Sequence, residues 1–334
     1  MQEILSGYDA LREYIRRINP GKILLVHGRS LEKFTGLNEY IRSLDVIEFT
    51  GFTPNPKIED AENAVKSSEG CGAVLAVGGG STIDTAKYVR LKSPGLPLIV
   101  IPTTAGSGSE ATKFAVLYRD GQKLSITDEN IIPDAVMFDS GLLQYLPEYH
   151  RKSSALDAFS HALESFWSVN ANDESRKFSR EALSEITEIL EGYPESYDAE
   201  RMLKASYTAG RAINISQTTA GHAMCYKITG IFGTAHGHSA AMCNRILFRR
   251  LCENSGLYVL SDIASSMSCD SPIEAAEKFD RIFLRLNMNI PEASENDIEE
   301  LTRSVNPVRL KNFPEKLDEL TIRNLYRKIL NVKE

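Results

Sequence analysis

The chain has 334 residues, of which 42% are hydrophobic, 8% aromatic and 25% charged. This composition is typical of a globular protein and excludes a disordered or fibrous chain, and the length allows two domains that each bury a core. The formal charge of −7 argues against a general nucleic-acid binder, because neutralising phosphates needs clustered Lys and Arg.

The apolar segments and the cysteines indicate where such a chain would reside. No stretch reaches the roughly 20 apolar residues that span a bilayer, and the start of the chain lacks an apolar signal core. Five cysteines without any CxxC pair suit a reducing compartment better than a disulfide framework. We therefore expect a cytoplasmic protein with reduced thiols that binds neither membranes nor nucleic acids.

The first half alternates short apolar runs with helical stretches. Strands are predicted at 22–27 (KILLVH), 46–50 (VIEFT), 73–80 (AVLAVGGG) and 98–104 (LIVIPTT), and helices at 10–18, 58–68 and 82–91. Continuous apolar strands are usually covered on both faces, so this pattern predicts a parallel sheet within an α/β domain.

The second half has no comparable strand signal. From residue 151 the apolar residues follow helical spacing, as in Leu156, Phe159, Leu163 and Phe166. Pro147 interrupts the chain just before the first long helix. We therefore predict an α/β domain over residues 1–146 and an all-helical domain over residues 147–334.

Two glycine-containing loops follow apolar strands. Residues 78–81 (GGGS) occupy a strand-to-helix turn, where backbone N–H groups can approach a phosphate, although a tight turn alone would also favour glycine. The loop at 102–110 offers hydroxyls from Thr103, Thr104 and Ser107. Ligands bind at the carboxyl ends of strands in an open parallel sheet, so both loops could converge on one dinucleotide.

Four residues of the second half could bind a divalent cation. Asp157 and His161 are four residues apart on a predicted helix, so they share one face, although such a pair alone is usually a surface contact. His222 and His236 add two imidazoles; the alternative for His236 or His238 is a turn histidine bonded to backbone. Imidazole and carboxylate ligands suit Fe(II) or Zn(II).

These motifs resemble the iron-containing alcohol dehydrogenases, a family in the same superfamily as glycerol dehydrogenase and dehydroquinate synthase. The resemblance extends over most of the chain, in the family's order and approximate spacing. The matching segments are PNP at 54–56, AVGGGSTIDTAK at 76–87, PTTAGSGSEAT at 102–112, LDAFSHALES at 156–165, and GHAM with AHGH within 221–238.

The resemblance implies a Rossmann-like nucleotide-binding domain followed by a helical metal- and substrate-binding domain. It also implies an alcohol dehydrogenase or aldehyde reductase that transfers hydride between a nicotinamide and a small aldehyde. The implied metal ligands are Asp157, His161, His222 and His236. The implied cofactor contacts are Gly79, Gly80, Ser81 and Asp84 at the pyrophosphate, Thr103, Thr104 and Ser107 beside the phosphates and nicotinamide, and Lys123 near the nicotinamide ribose.

The chain departs from the family pattern in three places. Many members carry a second histidine four residues after the third metal ligand, where this chain has Tyr226, whose hydroxyl could take part in proton delivery or only line the pocket. After the first predicted strand, an Asp that favours NAD is replaced by Gly28, and Arg29 with Ser30 could bind a 2′-phosphate. We therefore predict NADP(H), with NAD(H) as the alternative. The chain is also shorter than the usual member, chiefly in its helical half.

Positive charge near the histidines suggests an anionic substrate. Lys227 follows Tyr226, His238 lies two residues beyond His236, and Arg211 and Arg245 flank the segment. The arrangement also resembles a subgroup that includes phosphonoacetaldehyde reductases, although Lys and Arg are most often solvated. Tyr226 and His238 are the candidates for catalysis.

Two other functions fit the same motifs. One is a metal-dependent lyase or cyclase of the dehydroquinate synthase type, in which the nicotinamide is only a transient oxidant. The other is a non-catalytic nucleotide-binding protein that would bind cofactor but no metal. Homodimers are common in the family, but no interface is visible in the sequence.

Overall fold

The computed structural model describes residues 2–332, which form two compact units, one ending at Pro147 and one beginning at Glu148. The first unit contains a six-stranded, all-parallel sheet with the order β1-β8-β5-β4-β2-β3. Its strands are β1 Glu3–Leu5, β2 Ile23–His27, β3 Val46–Phe49, β4 Ala73–Gly78, β5 Leu98–Pro102 and β8 Ala135–Met137; β6 Phe114–Arg119 and β7 Gln122–Thr127 form a separate hairpin. Its helices are α1 Gly7–Ile18, α2 Thr35–Arg42, α3 Ile58–Ser67 and α4 Gly80–Lys92, with 3-10 turns at Arg29–Lys33, Ser109–Ala111, Glu129–Ile131 and Ser140–Tyr145.

The sheet has a hydrophobic core on each face, as the uninterrupted apolar runs predict. In β2, Ile23 and Leu25 belong to one core, whereas Leu24 and Val26 belong to the other. All four are buried. Successive side chains of a strand point to opposite faces, so a strand that is covered on both faces must be apolar throughout. The predicted parallel α/β unit is therefore confirmed.

The β6–β7 hairpin was not predicted, although the sequence contains a signal for it. Its strands pair antiparallel, and the turn between them has positive φ angles at Asp120 (50°) and Gly121 (73°). An Asp-Gly pair between two β-prone runs is typical of a two-residue hairpin turn. The three-residue strands β1 and β8 are too short to leave a comparable pattern.

The second unit is mostly helical, as predicted, and it also contains one small element that the sequence analysis did not predict. Two short strands, β9 Glu292–Ala293 and β10 Asn331–Val332, pair in parallel, and two residues are too few to give a strand signal. Among residues 2–332, no helix combines the length and the apolar character that a membrane span requires. The helices are α5 Glu148–Trp167, α6 Asp173–Glu191, α7 Ala199–Ser216, α8 Ala220–Phe232, α9 His236–Asn254, α10 Val259–Ser266, α11 Pro272–Arg285, α12 Glu295–Ser304, α13 Pro307–Leu310 and α14 Glu319–Ile329.

Helix α5 is buried along most of its length. The predicted apolar stripe, Leu156, Phe159, Leu163 and Phe166, is fully inaccessible to solvent. The same helix also buries polar side chains, at Asp157, His161 and Glu164. These three follow i, i+4, i+7 spacing and therefore lie on one helical face. Because buried polar groups need partners, this face of α5 indicates a functional site.

Candidate metal centre and nucleotide site

The four predicted ligands come together around Asp157. Its Oδ1 atom lies 3.4 Å from Nε2 of His222, 3.8 Å from Nε2 of His236 and 3.9 Å from Nε2 of His161. The His161 and His222 rings stack with centroids 4.6 Å apart, and His236 meets His222 edge-on at 5.3 Å. Helices α5, α8 and the first turn of α9 thus direct one carboxylate and three imidazoles to the same point.

Two atoms of this cluster show that it fits a cation. Oδ1 of Asp157 and Nε2 of His222 are buried, and neither makes a hydrogen bond to any described residue. Leaving such groups unsatisfied costs about 1–3 kcal/mol each, and more for a charged group. The candidate ligand atoms of Asp157, His222 and His236 all lie within 4.8 Å of one another. A divalent ion with N and O ligands would satisfy them, and both iron and zinc accept this ligand set.

Glu164 orients His222, and the sequence analysis did not identify it. Its Oε1 atom accepts hydrogen bonds from Nδ1 of His222 at 2.5 Å and from Nδ2 of Asn244 at 2.8 Å. Its Oε2 atom accepts from the hydroxyl of Thr219 at 2.6 Å and from the same residue's backbone N–H. A proton held at Nδ1 directs the Nε2 lone pair of His222 toward the cluster. Glu164 follows Asp157 by seven residues on the same helix, and this spacing, which places both on one helical face, could have identified it.

Two glycines next to ligands let the helices approach closely. A Cβ atom on Gly237 would lie 2.1 Å from the carbonyl oxygen of Ser153 and 2.5 Å from Cβ of Asp157, so α9 and α5 are in backbone contact there. A Cβ atom on Gly221 would lie 2.0 Å from Oδ1 of Asn244. Only glycine allows this approach. The glycines beside His222 and His236 therefore help to position these two predicted ligands.

The cluster's electrostatics favour a bound cation. Burial would raise the pKa of Asp157, but the neighbouring His161, His236 and His222 outweigh it and lower that pKa. Burial would likewise lower the pKa of His222, yet the carboxylates of Glu164 and Asp157 raise it to about 9. Two buried carboxylates thus hold positive charge at this point, which a metal ion can supply in place of protons.

The two predicted catalytic residues have different surroundings. Tyr226 stacks on His236, with ring centroids 5.4 Å apart and an interplanar angle of 13°, and its hydroxyl accepts a hydrogen bond from Arg309 at 2.8 Å. His238 is buried, and its Nδ1 lies 3.1 Å from the Tyr149 hydroxyl. Burial lowers the pKa of His238 to about 4, so its ring is neutral. The His238 ring is thus neutral and held against Tyr149, and its catalytic role stays a prediction.

The positive charges that suggested an anionic substrate are engaged elsewhere. Lys227 pairs with Glu300 at 2.7 Å, and Arg245 pairs with Asp280 at 2.7 Å. The guanidinium of Arg211 lies over the ring of Phe178, 3.9 Å from its centroid. Arg309, which was not singled out in the sequence, contacts Tyr226 from 83 residues further along the chain.

The two glycine-containing loops of the first unit meet as predicted. Gly79 precedes α4, and a Cβ atom on it would lie 3.1 Å from the side chain of Thr104. A Cβ atom on Gly80 would lie 3.2 Å from Ser107. Ser81 accepts a hydrogen bond from the backbone N–H of Asn55 at 3.3 Å. The N-terminus of α4 therefore faces the second loop, an arrangement suited to a phosphate.

Asp84 contacts protein groups that support this loop. Its Oδ1 accepts from the hydroxyl of Ser109 at 2.6 Å, and its Oδ2 accepts from the backbone N–H of Val116 at 3.0 Å. Burial raises the pKa of Asp84, against the opposing charges of Lys87 and Lys123. Lys123 lies on β7, opposite Tyr118 of β6. In this structure Asp84 thus joins α4 to the second loop and to the hairpin.

A cavity of about 270 Å³ lies in the same unit. Gly28 precedes the 3-10 turn Arg29–Lys33, which contributes Arg29, Ser30 and Lys33 to the lining, and Thr103 contributes from the end of β5. The remaining lining is apolar or aromatic: Phe34, Leu142, Tyr145, Leu146 and Pro147. Cationic and hydroxyl groups at one part of a mostly apolar cavity suit a nucleotide with a charged substituent.

Known proteins resemble the chain in sequence over half to three quarters of its length, and in fold over nearly all of it. It is 29% identical over 280 residues to NAD-dependent methanol dehydrogenase of Bacillus methanolicus, an alignment covering 74% of this chain and 72% of the relative. It is 29% identical over 198 residues to phosphonoacetaldehyde reductase of Streptomyces viridochromogenes, covering 50% of each. The fold matches sulfoacetaldehyde reductase from Bifidobacterium kashiwanohense, solved with NAD+, with a TM-score of 0.89, 22% identity and coverage of 98% and 96%.

Two family models cover most of the chain. The model for iron-containing alcohol dehydrogenase matches residues 2–140, and the model for the C-terminal part of the Fe-containing alcohol dehydrogenase family matches residues 152–328. The chain therefore belongs to the iron-containing alcohol dehydrogenases, metal-dependent enzymes that interconvert alcohols and aldehydes with a nicotinamide nucleotide.

Proposed function

We propose that the chain reduces a small anionic aldehyde with NADPH, at a divalent ion held by Asp157, His161, His222 and His236. The observation that carries the metal site is the buried, unsatisfied pair Asp157 Oδ1 and His222 Nε2 within a cluster of four ligands. When bound, the ion supplies Lewis acidity that polarises a carbonyl group, and the nicotinamide supplies the hydride.

The chain's own residues hold and orient the reacting groups. Glu164 fixes the tautomer of His222, so that its Nε2 is available as a ligand. Gly79 and Gly80, opposite Thr104 and Ser107, accommodate phosphates of the nucleotide. Tyr226, stacked on the ligand His236, can donate a proton from its hydroxyl to an oxygen at the site. Such positioning contributes roughly 7–11 kcal/mol in favourable cases.

Metal-dependent consumption of NADPH tests the reaction. The protein, purified without oxygen and reconstituted with Fe(II), Zn(II) or no metal, would be assayed with phosphonoacetaldehyde and with propanal. We expect net oxidation of NADPH that requires metal, and the faster ion identifies the preferred metal. A lyase or cyclase would return its cofactor unchanged, and a non-catalytic protein would bind nucleotide without turnover; either result would refute the proposal.

The preference for NADPH is supported by the cavity lining. Arg29, Ser30 and Lys33 place two cations and a hydroxyl together, and the preceding Gly28 has no carboxylate to repel a 2′-phosphate. In Arg29→Ala and Lys33→Ala, we expect kcat/KM for NADPH to fall about 10-fold or more relative to NADH, because a charge-assisted hydrogen bond is worth about 1.5–3 kcal/mol. Arg42→Ala, on α2, is the matched control. Equal efficiency of the wild type with both nucleotides would disprove this preference.

An anionic substrate is supported by two of the similar proteins. One is a phosphonoacetaldehyde reductase and the other a sulfoacetaldehyde reductase. Both names describe a two-carbon aldehyde with a tetrahedral anionic head group. Comparing kcat/KM for phosphonoacetaldehyde, sulfoacetaldehyde and uncharged C3 and C4 aldehydes tests this part, and preference for the uncharged compounds would remove it.

A further inference from the structure

The single tryptophan of the chain is joined to the candidate metal centre by a continuous run of hydrogen bonds. Trp167, the last residue of α5, donates from its indole Nε1 to the Thr219 hydroxyl at 3.0 Å. That hydroxyl donates to Oε2 of Glu164 at 2.6 Å, and Oε1 of Glu164 accepts from Nδ1 of His222 at 2.5 Å. All four side chains belong to residues that are at most 2% exposed. Each step from the indole to the predicted ligand is therefore a direct contact between buried groups.

The two ends of this run fix the direction of its hydrogen bonds. An indole N–H can only donate, so it occupies a lone pair of the Thr219 oxygen and leaves the hydroxyl proton to be directed at Glu164. An ionised carboxylate can only accept, so Nδ1 of His222 must donate to it. A proton held at Nδ1 leaves Nε2 as the nitrogen that can bind an ion. The run therefore selects the ring nitrogen of His222 that is available to a metal.

The connection between α7 and α8 is held in one conformation by the end of α5. The Ser168 hydroxyl donates to the carbonyl of Ser216 at 2.7 Å, and the hydroxyls of Ser216 and Ser165 lie 2.8 Å apart. The next residue, Gln217, has a φ of 60° and a ψ of 169°, a combination that residues other than glycine rarely adopt. Such a conformation persists only where the surrounding structure holds it. These contacts keep Thr219, two residues further on, at the indole.

The Trp167 side chain combines packing with hydrogen bonding, and the two roles can be separated. Its ring is tilted against Phe248, with centroids 5.8 Å apart, and lies edge-on to Phe313 at 6.2 Å. A phenylalanine in its place would keep an aromatic ring among these neighbours but has no N–H to donate. One substitution therefore removes the hydrogen bond and retains most of the packing.

We propose that Trp167 and Thr219 are positioning residues for the ligand His222, which they hold through Glu164 in the state that binds the ion. This inference rests on the proposed metal site. It extends the support of His222 from the carboxylate that contacts it to the end of α5. The helix that carries the ligand Asp157 would thus also set the tautomer of a ligand on α8.

The test is a double-mutant cycle on the affinity of the full-length protein for Zn(II), measured by competition with a chelator. In Thr219→Val, which keeps the shape of the side chain but not its hydroxyl, we expect the affinity to fall about 10-fold. In Trp167→Phe we expect a fall of about 3- to 10-fold, because one buried hydrogen bond is lost. In the double variant we expect no fall beyond that of Thr219→Val, since the indole acts through the hydroxyl.

Two further variants separate positioning from packing. Thr219→Ser retains the hydroxyl and should bind Zn(II) nearly as tightly as the wild type. Thr187→Val, on α6, removes a similarly buried hydroxyl that donates to the carbonyl of Leu183 at 2.6 Å, and it should leave the affinity for Zn(II) unchanged.

The outcomes distinguish the inference from the metal site on which it rests. If the effects of Trp167→Phe and Thr219→Val on Zn(II) affinity add, or if neither variant lowers it, the inference is wrong while the metal site stands. If the wild type binds no Zn(II), or if Asp157→Ala binds it as tightly as the wild type, the metal site fails, and the inference fails with it.

Discussion

Glu164 shows how one buried carboxylate can orient a predicted metal ligand without belonging to the predicted ligand set. It is fully buried and accepts hydrogen bonds from Thr219, His222 and Asn244. Thr219 directly precedes α8, His222 lies on α8 and Asn244 lies on α9. The charges and hydrogen bonds of these partners outweigh the effect of burial and lower its pKa. It is therefore ionised, and its negative charge makes His222 a better ligand.

Replacing Glu164 with Gln tests this role. The amide of Gln has only one oxygen, so it cannot accept hydrogen bonds at the positions of both carboxylate oxygens. Its NH2 group would face either the Thr219 N–H or the donors of His222 and Asn244. We expect metal affinity to fall about 10- to 100-fold, which competition with a chelator would measure. Glu300→Gln, which removes a charge paired with Lys227, is the control. Unchanged metal affinity in Glu164→Gln would show that the carboxylate is not needed to orient His222.

At the scale of elements, the contact between α5 and α9 sets the geometry of the cluster. The two helices meet at Gly237, where the backbone of Ser153 leaves no room for a side chain. The predicted ligands Asp157 and His236 lie at this contact, Asp157 on α5 and His236 next to Gly237 on α9. A change in the spacing of the helices would therefore change the distance between two ligands directly.

Gly237→Ala is expected to destabilise the second unit and weaken metal binding together. Its Cβ would overlap the Ser153 carbonyl and Asp157 Cβ, and overpacking of this kind costs typically about 1–3 kcal/mol. Gly230→Ala, in α8, is the matched control because nothing lies within 4 Å of its Cβ, and it should be neutral or stabilising by about 0.5–1 kcal/mol. Urea unfolding and metal content measure both effects. Equal stability of the two variants would contradict close helix contact at Gly237.

At the scale of the whole molecule, a buried charge cluster in the first unit makes stability depend on pH. Burial raises the pKa of Glu110 to about 7 and lowers the pKa of Lys87 to about 8. The Nζ of Lys87 donates to the carbonyls of Thr112 and Phe114, each at 2.7 Å. The cluster therefore links α4 to the chain entering the hairpin.

The sign of the pH effect follows from these pKa values. Glu110 ionises at lower pH in the unfolded chain, so its contribution to the free energy of unfolding falls between about pH 4.5 and 7. Lys87 loses its proton at a lower pH in the folded chain than in the unfolded chain. Its contribution to the free energy of unfolding therefore increases as the pH rises from about 8 to 10.5. In Glu110→Gln we expect the free energy of unfolding no longer to fall as the pH rises toward 7. Urea unfolding across pH 5 to 9 would measure this. Glu129→Gln, at an exposed pair with Lys113, should keep this fall.

The sequence predicted the features that repeat locally and the ligands and loops that the family resemblance implied, and it missed contacts between distant residues that neither source covers. The apolar runs of β2 and β4 reflect strands that are buried on both faces, and the apolar stripe of α5 reflects a buried helical face. The structure confirms the runs and the stripe. The Tyr226–Arg309 contact has no local pattern, because its partners are 83 residues apart. The ion pairs of Lys227 and Arg245 have no local pattern either, since their carboxylate partners lie 73 and 35 residues away.

The order of the ligands along the chain also affects how the enzyme is made on the ribosome. Both loops of the nucleotide site are complete by about residue 110, whereas Asn244, which donates to Glu164, is residue 244 of 334. During translation the first unit, which ends at Pro147, can thus fold well before His236, the last of the predicted ligands, has left the exit tunnel. Capture of an ion by this ligand set would therefore follow the folding of the first unit.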